Sequence, residues 1–404
     1  MIPAVAKSPR SWHRNTLDTS DRLANHPGVA LLLIDRTTDP SLRALEALRG
    51  YASVIVVLHH FTLAFLPGLK LQMDRPVLAY SLGWLLNGMG AVYLFFLLSG
   101  FVLTLKYYET PDVKILLSGA VKRLPRLWPS ALYGTLLGYF VLRFGLTANL
   151  AAADLNGSAW LRSFANADQT LAPSLALALR ESLTMFLHYR PLHYNTNLWT
   201  MLIEFYGSLL AFFAAFVLVY VANVRLVVVK IALSLILLAL NILIPYGFGW
   251  AFTVGAALGF AYAKRYFIPA PLGMVLIVLG LSLLGTPAPA SGEPSPLWTL
   301  PGAALLLWGI TTPGAAPRLL LIPFSQSLGR WSFPLYISHT IGVLTLGSAV
   351  YVSTVPLGVP MQLLASFAAT WAFAIALAYP VLRWEAWYLP RLNSQIRRLF
   401  AAKA

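Results

Sequence analysis

Long apolar runs broken by short polar turns recur along almost the whole chain. A helix rises about 1.5 Å per residue, so roughly 17–25 such residues reach across the hydrocarbon core of a bilayer. Ten stretches are plausible spans at or near that length: residues 47–66, 83–105, 128–147, 197–221, 226–244, 248–264, 267–285, 297–312, 332–353 and 362–388. The pattern predicts an all-α polytopic membrane protein with about ten transmembrane helices. Only short turns separate the fifth to eighth stretches, so their limits, across 226–312, are the least defined. Before the first span the only apolar run is "GVALLLI", closed off by Pro27 and Asp35. It is too short to span and lacks the small-residue cleavage site of a signal peptide. Residues 1–42 are therefore expected to be a cytoplasmic extension, 43–388 a single membrane domain and 389–404 a basic cytoplasmic tail.

Composition agrees with this pattern. Hydrophobic residues make up 58% of the 404 and charged residues 11%, against about a quarter charged in soluble domains. The net charge of +15 would suggest nucleic acid in a soluble protein. Here the cations fall mostly between spans, and no basic-aromatic module is present, so no nucleic-acid partner is expected. Lys106, Lys114, Lys122, Arg225, Lys264, Arg265, Arg318, Arg397 and Arg398 all lie on one side when the N-terminus is inside. The opposite segments carry fewer cations, offset by acids such as Asp154 and Glu181. Both termini are thus predicted cytoplasmic. The longest outer segment, 148–196, holds "LALALRESLTMFLHYR", an amphipathic stretch suited to the membrane interface. The chain has no cysteine, which excludes disulfides and thiolate chemistry, and no metal site is expected.

Ionisable residues inside spans are costly and tend to be functional, so they are the candidates for chemistry. In "RGYASVIVVLHHFTLAF", Arg49 and His60 are eleven residues apart, which puts them on one helix face about 16–17 Å apart along the axis. His59 points about 100° away from His60. In "LWTMLIEFYGS", Glu204 lies about two turns inside a span and needs a partner. In "SFPLYISHTIG", Ser332, Tyr336 and His339 share a face at spacings of four and three, with Pro334 read as part of a first helical turn. "FFLLSGF" places Ser99-Gly100 near the inner end of the second span, where close helix packing alone would account for it. "KRLPRLWP" puts Arg123 and Arg126 three apart on an inner loop leading into the third span. There they suit either an anion or simple membrane anchoring.

Taken together and in this order, these stretches resemble the membrane-bound acyltransferase family 3, whose members modify polysaccharides and other surface or secreted molecules. The family's Arg, ten intervening residues and His match Arg49 and His60. Its "FFxLSGF" matches Phe95–Phe101, and its "R-x-x-R-x-x-P" matches Arg123, Arg126 and Pro129. Its "LWT…E" matches Leu198–Thr200 and Glu204, and its "S-x-x-x-Y-x-x-H" matches Ser332, Tyr336 and His339. The chain reads "EFYGS" where many bacterial members continue with "EEQFYL". The resemblance implies an integral, multi-pass protein of the bacterial inner membrane. Such a protein moves an acyl group, commonly acetyl, from cytoplasmic acyl-CoA to a hydroxyl of a glycan or other surface acceptor. Acyl-CoA is then a co-substrate rather than a bound cofactor. The partners extend to the bilayer and to a homo-oligomer or glycan-biosynthesis complex.

With the resemblance, predicted depth sorts the candidates. Arg49, Ser99, Arg123, Arg126, Tyr336 and His339 fall toward the cytoplasm, and all but Arg49 are expected to bind acyl-CoA. His60 and Glu204 fall toward the outside and, with Arg49, are expected to be catalytic. His60 fits either a general base oriented by Glu204 or a covalent acyl carrier. A glycan or small-molecule transporter is the competing reading, since transporters also bury charges on broken spans.

Overall fold

The computed structural model describes residues 39–69, 81–164, 172–286 and 296–401. The expected N-terminal extension lies, up to residue 38, outside the described residues. Among the described residues every regular element is a helix. Each of the ten apolar stretches overlaps one: α1 (Pro40–Phe65), α2 (Gly88–Glu109), α3 (Val113–Arg143), α7 (Thr200–Asn223), α8 (Val227–Leu243), α9 (Phe248–Ala263), α10 (Ala270–Leu284), α11 (Pro296–Thr311), α12 (Pro323–Gly342) and α14 (Val359–Ala401). Between α3 and α7 lie the short helices α4 (Asn149–Asn156), α5 (Ala159–Arg162) and α6 (Leu175–Thr184), and between α12 and α14 lies α13 (Ser348–Ser353). Among the described residues, five helices are long and apolar enough to cross a membrane, or up to six if α8 and α9, bent by 108° at their break, form one span. α10 and α11 are apolar but shorter.

Outward faces are greasy in a way water would not tolerate. Val228, Ile231, Leu235 and Ile242 on α8 are exposed, as are Met274, Val275 and Val278 on α10. α6 is amphipathic in the inverted sense: Leu175, Leu179 and Leu183 face out, while Glu181 and Ser182 are buried. Glu181 accepts hydrogen bonds from the His193 and Tyr194 backbone and from His193 Nδ1 at 3.0–3.3 Å.

Six helices enclose the interior, and their contacts fix their relative directions. α1 and α12 run parallel. Gly50 and Gly329 allow this, because a Cβ on Gly50 would come within 2.6 Å of the Gly329 nitrogen and one on Gly329 would collide with the Glu46 carbonyl. One turn after another, the same pair of helices then brings His60 beside His339. α3 runs the same way as α12. α2, α7 and α14 run opposite, as the pairings Leu86 with His59, Asn197 with His339, and Glu385 with Ser130 require. Gly100 and Gly255 let α2 and α9 touch at the backbone.

Two sequence expectations are corrected here. Arg123 and Arg126 do not sit on a loop. They lie within α3, which begins at Val113, ten residues before Arg123, and carries Pro125 and Pro129 inside it. Proline at 129 has no N–H for the carbonyl four residues back. That orphan, the Pro125 oxygen, instead accepts from the Tyr388 hydroxyl of α14 at 3.0 Å. Pro334 likewise is not in a first turn, because α12 begins at Pro323 and runs through it. α12 continues into a π-type turn, Val343–Gly347. The widened turn leaves the Leu344 carbonyl to accept from Ala148 N at 2.9 Å, tying the α3–α4 connection to α12.

Candidate active site

α1, α2, α3, α7, α12 and α14 enclose a cavity of ≈ 780 Å³, within the range of small-molecule and cofactor sites. Among the described residues, five arginines line it, Arg43, Arg49, Arg123, Arg126 and Arg330, against three carboxylates, Glu46, Glu204 and Glu385. The rest of the wall is largely apolar, including Phe95, Phe96, Met201 and Leu389. An excess of guanidinium inside low-dielectric walls gives strong, geometrically specific attraction for phosphate or carboxylate.

Of the residues singled out from the sequence, Arg49, Ser99, Arg123, Arg126, Glu204 and Tyr336 all face this cavity. α1 presents Arg49, whose Nη1 lies 3.4 Å from Glu46 one turn back. Arg123 is 4% exposed. Its Nη2 makes a close ion pair with Glu204, while its buried Nε–H has no partner among the described residues. Ser99 donates to both Glu204 oxygens at 3.0 and 3.2 Å. The "FFLLSGF" stretch thus divides its labour. Ser99 faces the site, Gly100 meets the α9 backbone, and Phe95 lies edge-on to Tyr336 at 6.2 Å between ring centroids.

Glu204 is therefore not the partner of His60, contrary to the depth argument. Its carboxylate is taken by Arg123 and Ser99 at the cavity. An expensive buried charge found the nearest cation, and helix depth alone cannot say on which neighbouring helix that cation stands. His339 is displaced in the opposite sense. It does not line the cavity; its Nε2 lies 2.8 Å from His60 Nδ1, with the rings stacked at 5.1 Å between centroids.

The two regions are linked by a short polar chain. Tyr336 faces the cavity, shares a hydrogen bond with Thr200 at 2.8 Å and donates to the Asn197 carbonyl at 2.7 Å. The Asn197 side chain donates to His339 Nε2 at 3.1 Å and to Thr340. Beyond His60 stands Trp160, stacked on its ring at 5.1 Å. Trp160 is planted there by the end of α1. The carbonyls of Leu63 and Ala64, left over by the helix terminus, accept from Ser158 Oγ at 2.7 Å and Asn156 Nδ2 at 2.9 Å. His59 meets the His60 ring edge-on at 5.3 Å between centroids, and its Nδ1 donates to the Leu86 carbonyl at 2.7 Å beside Gly88.

Glu385, Asn197 and Trp160 were not anticipated. Glu385 was legible, since it is a lone acid inside the last apolar run and meets the criterion that singled out Glu204. Asn197 directly precedes the "LWT" stretch but is uncharged. Nothing in the polar segment around Trp160 sets it apart.

Fold and site together describe a helical protein with membrane-spanning character, a cationic cavity open among its helices and a histidine pair next to it. An acyltransferase-domain family matches residues 42–379, most of the chain. The chain belongs to acyltransferase family 3. Comparison with curated proteins and with solved structures returned no match.

Proposed function

We propose that the protein is an integral membrane O-acyltransferase that takes an acyl group, commonly acetyl, from cytoplasmic acyl-CoA to a hydroxyl of a glycan or other surface acceptor. The observation that carries this reading is the arginine-lined cavity joined through Tyr336 and Asn197 to the His60–His339 pair. In this reading the CoA phosphates bind Arg123, Arg126 and Arg49 at the cavity, which opens to the cytoplasm. The unpartnered Arg123 Nε–H supports an anion there. Parallel α1 and α12, with α2, α7 and α14 opposed, support an alternation of spans; in this reading both termini are inside and the membrane is the bacterial inner membrane.

The thioester-bearing arm of acyl-CoA reaches along α1 from Arg49 toward His60, about three helical turns away. The acceptor hydroxyl gives its proton to His60 Nε2 as its oxygen bonds the acyl carbon. The C–S bond breaks, and the departing CoA thiolate takes a proton back from the imidazolium. The products are the acylated acceptor and free CoA. Glu204 serves to hold Arg123 rather than to orient the histidine.

Titration of the purified protein with acetyl-CoA tests the donor half of this reading. Saturable binding that competes with free CoA is expected. No binding at millimolar acetyl-CoA would instead favour a transporter.

A further inference from the structure

We infer that His339 is a positioning residue that locks His60 in the tautomer with its proton on Nδ1, leaving the lone pair on Nε2. This rests on the acyl-transfer reading above and assigns His339 a role at His60 rather than at the CoA cavity.

The hydrogen bonds fix the assignment step by step. His339 Nδ1 lies 3.0 Å from the Leu335 carbonyl, one turn back on α12. A carbonyl only accepts, so Nδ1 carries the His339 proton. His339 is 0% exposed, and among the described residues no carboxylate hydrogen-bonds it to offset a charged ring. Its Nε2 is therefore an acceptor whose single lone pair meets His60 Nδ1 most closely, with the Asn197 amide at 3.1 Å and the Thr340 hydroxyl at 3.4 Å as weaker, shared donors. His60 Nδ1, at 2.8 Å from the same nitrogen, must then be the donor. The hydrogen bond made by one ring nitrogen decides what the other presents, so His60 Nε2 faces the reaction as a base. A carboxylate usually performs this service for a catalytic histidine. Here a neutral imidazole does, and the anchor is a helix carbonyl. The parallel docking of α1 on α12 through Gly50 and Gly329 sets the register that makes the pair meet.

The test combines spectroscopy with kinetics. Histidine 15N and 13C resonances of the wild-type protein in lipid, assigned by His60→Gln, report the His60 tautomer without any substrate. The proton is expected on Nδ1. His339→Phe should move it to Nε2 and lower kcat about 100-fold, with KM for acyl-CoA unchanged. His339→Gln, whose side-chain oxygen still accepts from Nδ1–H, should keep the tautomer and hold kcat within about tenfold of wild type. A wild-type His60 protonated on Nε2 would overturn the inference. So would an unchanged tautomer or kcat in His339→Phe, or a raised KM as the main effect. Should His339→Phe fail to fold, the wild-type spectrum and the Gln variant still decide. Because the spectrum needs no turnover, absence of acyl transfer would remove the functional reading alone and leave the tautomer result standing.

Discussion

At the scale of the residue, two adjacent histidines have different work, and their neighbours explain why. His60 stacks between Trp160 and His339, whereas His59 donates to Leu86 and packs on Gly88. His60→Ala should lower acyl transfer by at least about 100-fold with little change in thermal stability. His59→Ala should keep most activity but lower the melting temperature, because it strands the Leu86 carbonyl. Both are measured by turnover and thermal unfolding in detergent. Arg126→Gln removes a cavity cation without stranding Glu204. It should weaken acetyl-CoA binding about ten- to hundredfold, as expected for loss of one charge-assisted contact worth about 1.5–3 kcal/mol. Unchanged affinity by calorimetry would make Arg126 a membrane anchor only.

At the scale of the element, helices are positioned by small residues and by repaired backbone. The α1–α12 contact leaves no room for a methyl group at Gly329, so Gly329→Ala should destabilise by about 1–3 kcal/mol and separate His60 from His339. Chemical denaturation together with turnover would detect both effects. Tyr388→Phe leaves the Pro125 carbonyl of α3 without its donor and should cost about 1 kcal/mol, read by the same denaturation. Much of this level was legible in the sequence, and part was not. Twenty-residue apolar runs announce helices because lipid demands internally satisfied backbone, and each expected stretch overlaps one. The start of α3 was missed because Lys114, Lys122, Arg123 and Arg126 read as loop cations. A polar, proline-bearing helix is held by partners such as Glu204 and Tyr388, which sequence pattern does not contain.

At the scale of the whole molecule, the cavity and the histidine pair lie at different positions along the parallel helices α1 and α12. Spacing along one helix was readable, because α1 runs unbroken from Pro40 to Phe65 through both Arg49 and His60. Pairing between helices was not, so Glu204 was assigned to His60 when it belongs with Arg123. The central claim, that the donor enters from the cytoplasmic side and the acyl group leaves on the other, is tested most directly by sidedness. Purified protein in sealed vesicles of defined orientation receives acetyl-CoA outside, with a hydroxyl acceptor trapped in the lumen. Inside-out vesicles should acylate the trapped acceptor and right-side-out vesicles should not. Equal acylation in both orientations, or modification only of an acceptor on the same side as acetyl-CoA, would contradict the account.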